Sequence, residues 1–177
     1  MYRSLLFLAL VTRLVQFCLS QDSELIPGPA EVASEVNSNI DPKSDLSPDE
    51  FLRRGKQYFI HCSEKVGFFS AWRSCNDLGL ELAAVVSEKD NQLLAEKAAH
   101  VHQELWLSGT NLGRRGDWIW LVSRRQVGWG NDYLKWAPGQ PQGADKCMLV
   151  SVNSQGGIWK AADCHEHHCF VCQKYLT

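Results

Sequence analysis

The chain has 177 residues and a net charge of −2, with 21% charged and 45% hydrophobic residues. That length allows one domain with a core of its own and rules out two large ones. A charge this close to balance excludes a dedicated nucleic-acid binder, which needs a dense basic face.

The charge is unevenly placed. Residues 21–50 hold eight acids and one base, Lys43, a net of −7, whereas residues 51–177 hold 15 Lys and Arg against 12 Asp and Glu, a net of +3. The chain opens on a signal-peptide pattern over residues 1–20: Arg3, an apolar run from Leu5 to Val11, then Cys18 and Ser20 before a cut at Gln21. The rival reading is an uncleaved anchor. Arg13 interrupts the segment, and no later stretch reaches the ~18 uninterrupted apolar residues of a membrane span, so a secreted, extracellular protein without membrane insertion is expected. No Asn-x-Ser/Thr occurs, so no N-glycosylation is expected.

Residues 21–52 form an acidic linker, rich in proline and poor in large apolar side chains, that cannot bury enough surface to offset the entropy of ordering. The folded domain is expected over residues 53–177. QYFIHC alternates and is rich in aromatic and branched residues, which predicts a strand. Phe68, Phe69, Trp72, Cys75 and Leu78 recur at helical spacing, and Gly79 stops the helix. Leu80 to Val86 is a short apolar turn or strand. Ser87 and Asp90 make a start resembling a capping box, and a second helix runs to about Val101 with Leu93, Leu94, Ala98 and Val101 on its inner face.

Beyond it, LWLSG, WIWLV, CMLVSV, GIWKA and CFVCQKY read as short strands between glycine-rich loops. Two helices followed by strands predict an α+β domain with a mostly antiparallel sheet. Without Cys18, six cysteines remain: Cys62, Cys75, Cys147, Cys164, Cys169 and Cys172. An even number in an oxidising compartment implies three disulfides, and spacing alone does not choose the pairing.

The order FFSAWRSC, DLGLELAAVVSEKD, LWLSG, DWIW, WAPGQP, Cys147, Trp159, Cys164 and CFVC resembles the C-type lectin-like domain family over most of residues 56–175. The compact style is similar to that of insect members. The resemblance implies the C-type lectin-like fold, with paired chain ends and a long irregular loop that holds the ligand site. It also implies the bridges Cys75–Cys172 and Cys147–Cys164. Cys62 and Cys169 are then left, and antiparallel first and last strands would set them opposite each other, so they are predicted as the third bridge.

In sugar-binding members of that family, calcium is held by two patches. One is Glu-Pro-Asn or Gln-Pro-Asp around a cis proline, with a Glu two residues before the next cysteine. The other is Trp-Asn-Asp in the penultimate strand. Here the first patch reads Gln140-Pro141-Gln142, with Asp145 two before Cys147, and the second reads Trp159-Lys160-Ala161. Calcium takes roughly 6–8 oxygen ligands and is held more tightly as carboxylates are added. This set retains one carboxylate, Asp145, and gains a cation. The site therefore reads as degenerate, and no cofactor is expected; calcium would bind only if Asp145 and neutral oxygens sufficed. The Lys160 ammonium either takes the vacated place and pairs with Asp145 or faces water. Gln140 before Pro141 matches the galactose type.

Other constellations have two readings each. His165, Glu166, His167 and His168 in CHEHHC are residue types that zinc accepts, but oxidised flanking cysteines favour a polar turn over a metal site. Arg114-Arg115 and Arg124-Arg125 are either an anion patch for acidic glycans or solvated loop charges. Trp118 and Trp120 are expected in the core, and Trp129, between glycines, is a candidate exposed ligand contact. No Gly-x-Ser-x-Gly, His-Glu-x-x-His or phosphate-loop motif occurs, so no enzyme is expected. The resulting expectation is a secreted recognition protein that binds a glycan or glycoprotein through a modified site. The alternative is a calcium-independent module that binds a protein or another surface.

Overall fold

The structure is a computed structural model that describes residues 47, 50, 54–113, 116–144 and 146–176. The expected signal segment, almost all of the expected linker, Arg114, Arg115 and Asp145 lie outside the described residues. In chain order the elements are β1 (Lys56–Val66), α1 (Phe68–Asp77), β2 (Glu81–Leu82), α2 (Glu88–Ala98), β3 (Leu105–Thr110), β4 (Ile119–Trp120), β5 (Arg125–Gln126), β6 (Lys146–Asn153), β7 (Gly156–Asp163) and β8 (His168–Tyr175). The architecture is α+β. All strand pairs are antiparallel except β3 with β8.

The alternating run at Lys56–Val66 forms one long strand, paired with β8 from Lys56↔Tyr175 to His61↔Phe170. β3 lies between β8 and β6, and all six of its residues are buried. Its continuous apolar character follows from cover on both faces. Gly109 is needed there: a Cβ would lie 2.5 Å from Met148 Cε.

The sheet separates two apolar layers. On one face Leu105, Leu107, Met148, Val150 and Trp159 pack with α2 residues Leu94 and Ala98 and with Trp118 and Trp120 of the long connection. On the other, Trp106, Leu149 and Phe170 pack against Phe68, Ala71 and Cys75 of α1. Helical spacing alone did not say which of the apolar positions of α1 are covered. Phe69, Trp72 and Leu78 are 55%, 44% and 58% exposed. The helix touches the sheet only along the narrow i, i+3, i+7 stripe, which leaves the neighbouring aromatic positions outside. In α2, Leu94 and Ala98 are buried and Leu93 is half-buried; the helix ends at Ala98, short of the expected Val101, which is half-buried at the cluster margin.

Ser87 caps α2: its Oγ accepts from the Asp90 N–H at 3.1 Å. The Asp90 carboxylate does not close the box on Ser87. It accepts from the Val86 N–H at 3.1 Å and from Lys56 Nζ at 2.6 Å. The Lys56 ammonium also donates to the Ala84 carbonyl at 3.0 Å. Burial pushes the Lys56 pKa below 10.5, against the pull of Asp90.

Three disulfides join Cys62 to Cys169, Cys75 to Cys172 and Cys147 to Cys164, with Cα separations of 4.6, 5.5 and 5.1 Å. They tie β1 and α1 to β8 and the start of β6 to the end of β7. Among the described residues, no helix is long and apolar enough to cross a membrane.

Candidate ligand-binding rim

The connection between β3 and β6 is long and mostly irregular, and named contacts hold it to the sheet. Around Trp136 it runs beside β7 in a parallel bridge to Trp159. The Trp159 N–H donates to the Lys135 carbonyl and the Ala137 N–H to the Trp159 carbonyl, both at 2.8 Å. Trp159 is fully buried and meets Trp120, Tyr133 and Trp136 edge to face. Further out, the connection is tied to α2. Glu88 Oε2 accepts from the Tyr133 hydroxyl at 3.2 Å and pairs with Lys135 Nζ at 3.3 Å. Burial, and then the Glu88 carboxylate, push the Tyr133 pKa far above 10.0.

After Ala137 the chain turns, with the Gln140 N–H bonded to the Ala137 carbonyl at 2.9 Å, into a cis Gln140–Pro141 peptide. The far end is pinned by Asn111, which follows β3 and is 1% exposed. Its Oδ1 accepts from the Lys146 N–H at 2.6 Å, and its Nδ2 donates to the Gly143 carbonyl at 3.1 Å. Sequence reasoning missed Asn111. Its only signal is a polar residue at the end of an apolar strand.

The Gln140 side chain turns inward. Its Oε1 accepts from the Ala161 backbone N–H at 3.0 Å. Because the partner is a donor, the atom facing it has to be the carbonyl oxygen, which settles the amide orientation. One of the two lone pairs of that oxygen is thereby engaged by β7. Pro141 and Gln142 are exposed.

Lys160 is not part of this arrangement. Trp159 and Ala161 pack on the face under the long connection, whereas Lys160 lies across from Leu149 on the opposite face, where it pairs with Glu104. The expected partner Asp145 lies outside the described residues. The structure thus brings together Gln140, Pro141, Gln142 and the Ala161 backbone, and directs Lys160 away.

Few calcium donors stand among the described residues, and Asp145, the one carboxylate of the expected set, lies outside them. Among the described residues of the rim there is no carboxylate, Ala161 offers no side-chain oxygen, and Gln140 Oε1 is engaged. No group of three or more His, Cys, Asp or Glu among the described residues is arranged to hold a metal ion. In CHEHHC, His165 Nδ1 lies 2.9 Å from Asp163 Oδ1, and His168 Nε2 lies 3.1 Å from Glu166 Oε2.

These contacts make the β7–β8 turn acid-sensitive. The His165 backbone and ring bonds hold the Asp163 carboxyl below its ordinary 3.8, and the His168 bond holds Glu166 below its ordinary 4.5. Both groups bind protons more weakly folded than unfolded. Their contribution is therefore complete above about pH 4.5 and is lost as the pH falls through the folded values. Protection of the His165 amide, corrected for intrinsic exchange, is expected to fall below about pH 4 while β3 amides stay protected. Protection that stays unchanged until the whole domain unfolds in acid would refute this account of the turn.

Trp118 and Trp120 are buried, at 6% and 1% exposure. Trp129 differs from its expected exposure: it is half-buried, packs against the core, and carries the Arg125 guanidinium 4.2 Å above its ring. Flanking glycines gave no indication that a cation would cover it.

Comparison with known proteins places this geometry. The Lectin C-type domain family model matches residues 64–174. The chain belongs to the C-type lectin domain family. This lectin domain is 25% identical to perlucin from Haliotis laevigata over 132 residues, covering 72% of this chain and 82% of perlucin. It is 28% identical to C-type lectin 37Da from Drosophila melanogaster over 131 residues, covering 70% of this chain and 67% of that protein. Among solved structures, the mouse scavenger receptor C-type lectin carbohydrate-recognition domain superposes with a TM-score of 0.57 at 26% identity, covering 69% of this chain and 90% of that one. C-type lectin 37Da and the solved mouse domain are lectins by name.

Proposed function

We propose that this lectin domain is a secreted recognition module that binds carbohydrate directly, without calcium, at the rim built by Gln140, Pro141 and Gln142. The observation that carries this reading is the Gln140 Oε1 bond to the Ala161 N–H. It fixes the amide with its oxygen toward β7 and leaves the two Nε2 hydrogens as donors for a sugar. Sugars offer hydroxyl acceptors to such donors. Support for carbohydrate as the ligand comes from the family and from the carbohydrate-recognition domain of the mouse scavenger receptor. The galactose-type order of Gln140 and Pro141 makes galactosides the first neutral sugars to try. Three disulfides support export to an oxidising compartment.

The test is a glycan array probed with the full chain, in calcium and in chelator. The expected result is the same set of bound glycans in both, with Gln140→Ala weakening them roughly tenfold as one buried amide contact is lost. Binding that vanishes in chelator would overturn the calcium-free reading. An array silent in both buffers would leave a module for protein or other surfaces.

A further inference from the structure

The connection from Asn111 to Lys146 contains six Lys and Arg and three Asp and Glu, a net of +3. Residues 51–177 as a whole also net +3, so the rest of that span is balanced and its excess positive charge sits in this one connection. Two of these cations are committed: Lys135 to Glu88, and Lys146 to Asp163 at 3.8 Å. Arg124 is exposed and has no ion-pair partner among the described residues.

Arg124 stands at the turn between β4 and β5, where its N–H donates to the Trp120 carbonyl at 2.7 Å. Its φ is 55°, in the left-handed region. Glycine or asparagine would hold that backbone with less strain. An arginine there keeps a guanidinium at the tip of a hairpin in spite of the backbone. Arg125, the next residue, pairs with Trp120 in the ladder and stacks on Trp129. Stacking engages the face of the guanidinium and limits the motion of a side chain that otherwise loses much entropy on binding. Two adjacent guanidiniums, one exposed and one held by an indole, suit oxyanions, which forked N–H donors grip in pairs.

We propose that the β4–β5 hairpin is an anion-binding site for acidic glycan chains, with Arg124 and Arg125 as the donors to their sulfate or carboxylate groups. This rests on the reading of the domain as a calcium-free glycan binder and names the glycan class. The site is separate from the Gln140 rim in sequence and in the strands that carry it. The near-neutral chain and the two-residue patch suit a short acidic segment of a glycan, not a long duplex.

The test uses the full chain in chelator against three probes: a heparin octasaccharide, the same octasaccharide fully desulfated, and a neutral galactose oligomer. Binding is read by calorimetry at low and high salt. The expected result is binding to heparin that weakens by about tenfold or more on raising salt from ~50 to ~500 mM, as screening predicts. Arg124→Gln should weaken it several-fold, and Arg124→Gln with Arg125→Gln by roughly tenfold or more. Lys97→Gln with Lys174→Gln, two exposed cations on other elements, should change it less than about twofold. Binding retained on the desulfated probe assigns carboxylate recognition, and its loss assigns sulfate. Equal weakening by both double variants would mean diffuse attraction and would overturn the site. Binding of the galactose oligomer alone, untouched by the arginine variants, would overturn it while leaving the Gln140 rim intact. No binding to any probe, together with a silent array, would overturn the glycan reading itself.

Discussion

Asp90→Ala is expected to destabilise the domain by about 3–5 kcal/mol, read as the shift of a urea unfolding curve. The Asp90 and Lys56 side chains are 9% and 1% exposed, so the substitution takes from a buried ammonium the carboxylate bonded to it. It also removes the acceptor of the Val86 N–H, which caps the turn ahead of α2. Lys56→Met with Asp90→Leu removes both charges together and should recover most of the loss, because the penalty lies in the unpaired charge. If Asp90→Ala costs under ~1 kcal/mol, the pair is hydrated and does not carry the junction of β1 with α2.

The second large effect is at the centre of the aromatic cluster. Trp159→Ala should cost about 3–5 kcal/mol and should release the long connection before the rest of the domain. Trp159 is fully buried against Trp120, Tyr133 and Trp136, and its backbone holds Lys135 and Ala137. Removing the indole takes away the surface on which residues 133–137 rest, so their amide exchange should rise by more than that of β3. Trp159→Phe is the informative control. Among the described residues the Trp159 Nε1 has no hydrogen-bond partner, so phenylalanine forfeits packing and no polar contact there. It should therefore cost well under half of the alanine loss. Equal losses for the two variants would mean that the indole N–H is bonded after all.

Much of the fold was legible because it follows local periodicity. The strands at Lys56–Val66, Leu105–Thr110, Lys146–Asn153, Gly156–Asp163 and His168–Tyr175 all begin or end close to their apolar patterns. Where the reading was silent, the deciding contact was non-local. The exposure of Phe69 and Trp72 depends on how narrow the α1 contact with the sheet is. The Lys56–Asp90 pair joins residues 34 apart, and nothing near Lys56 in sequence announces it. Asn111 reaches across to residues 32 and 35 positions later.

Lys160 is the instructive case. Strand alternation alone puts it on the opposite face from Trp159 and Ala161. The resemblance set it beside the rim, whereas its pairing with Glu104 on the other face is a non-local contact. The inward turn of Gln140 was not legible, because it depends on a backbone N–H presented by β7.

The disulfides set conditions on how the chain is made. Each bridge has one cysteine in the stretch Cys164–Cys172 and the other upstream, at sequence separations of 107, 97 and 17. During synthesis Cys62, Cys75 and Cys147 emerge first, and none of their final partners yet exists. Any oxidation in that interval joins them to one another, and thiolate exchange has to undo it when the closing segment arrives. The domain therefore cannot mature in pieces from its leading end. Its yield in a cell depends on an isomerising environment that keeps early cysteines exchangeable until β8 is available.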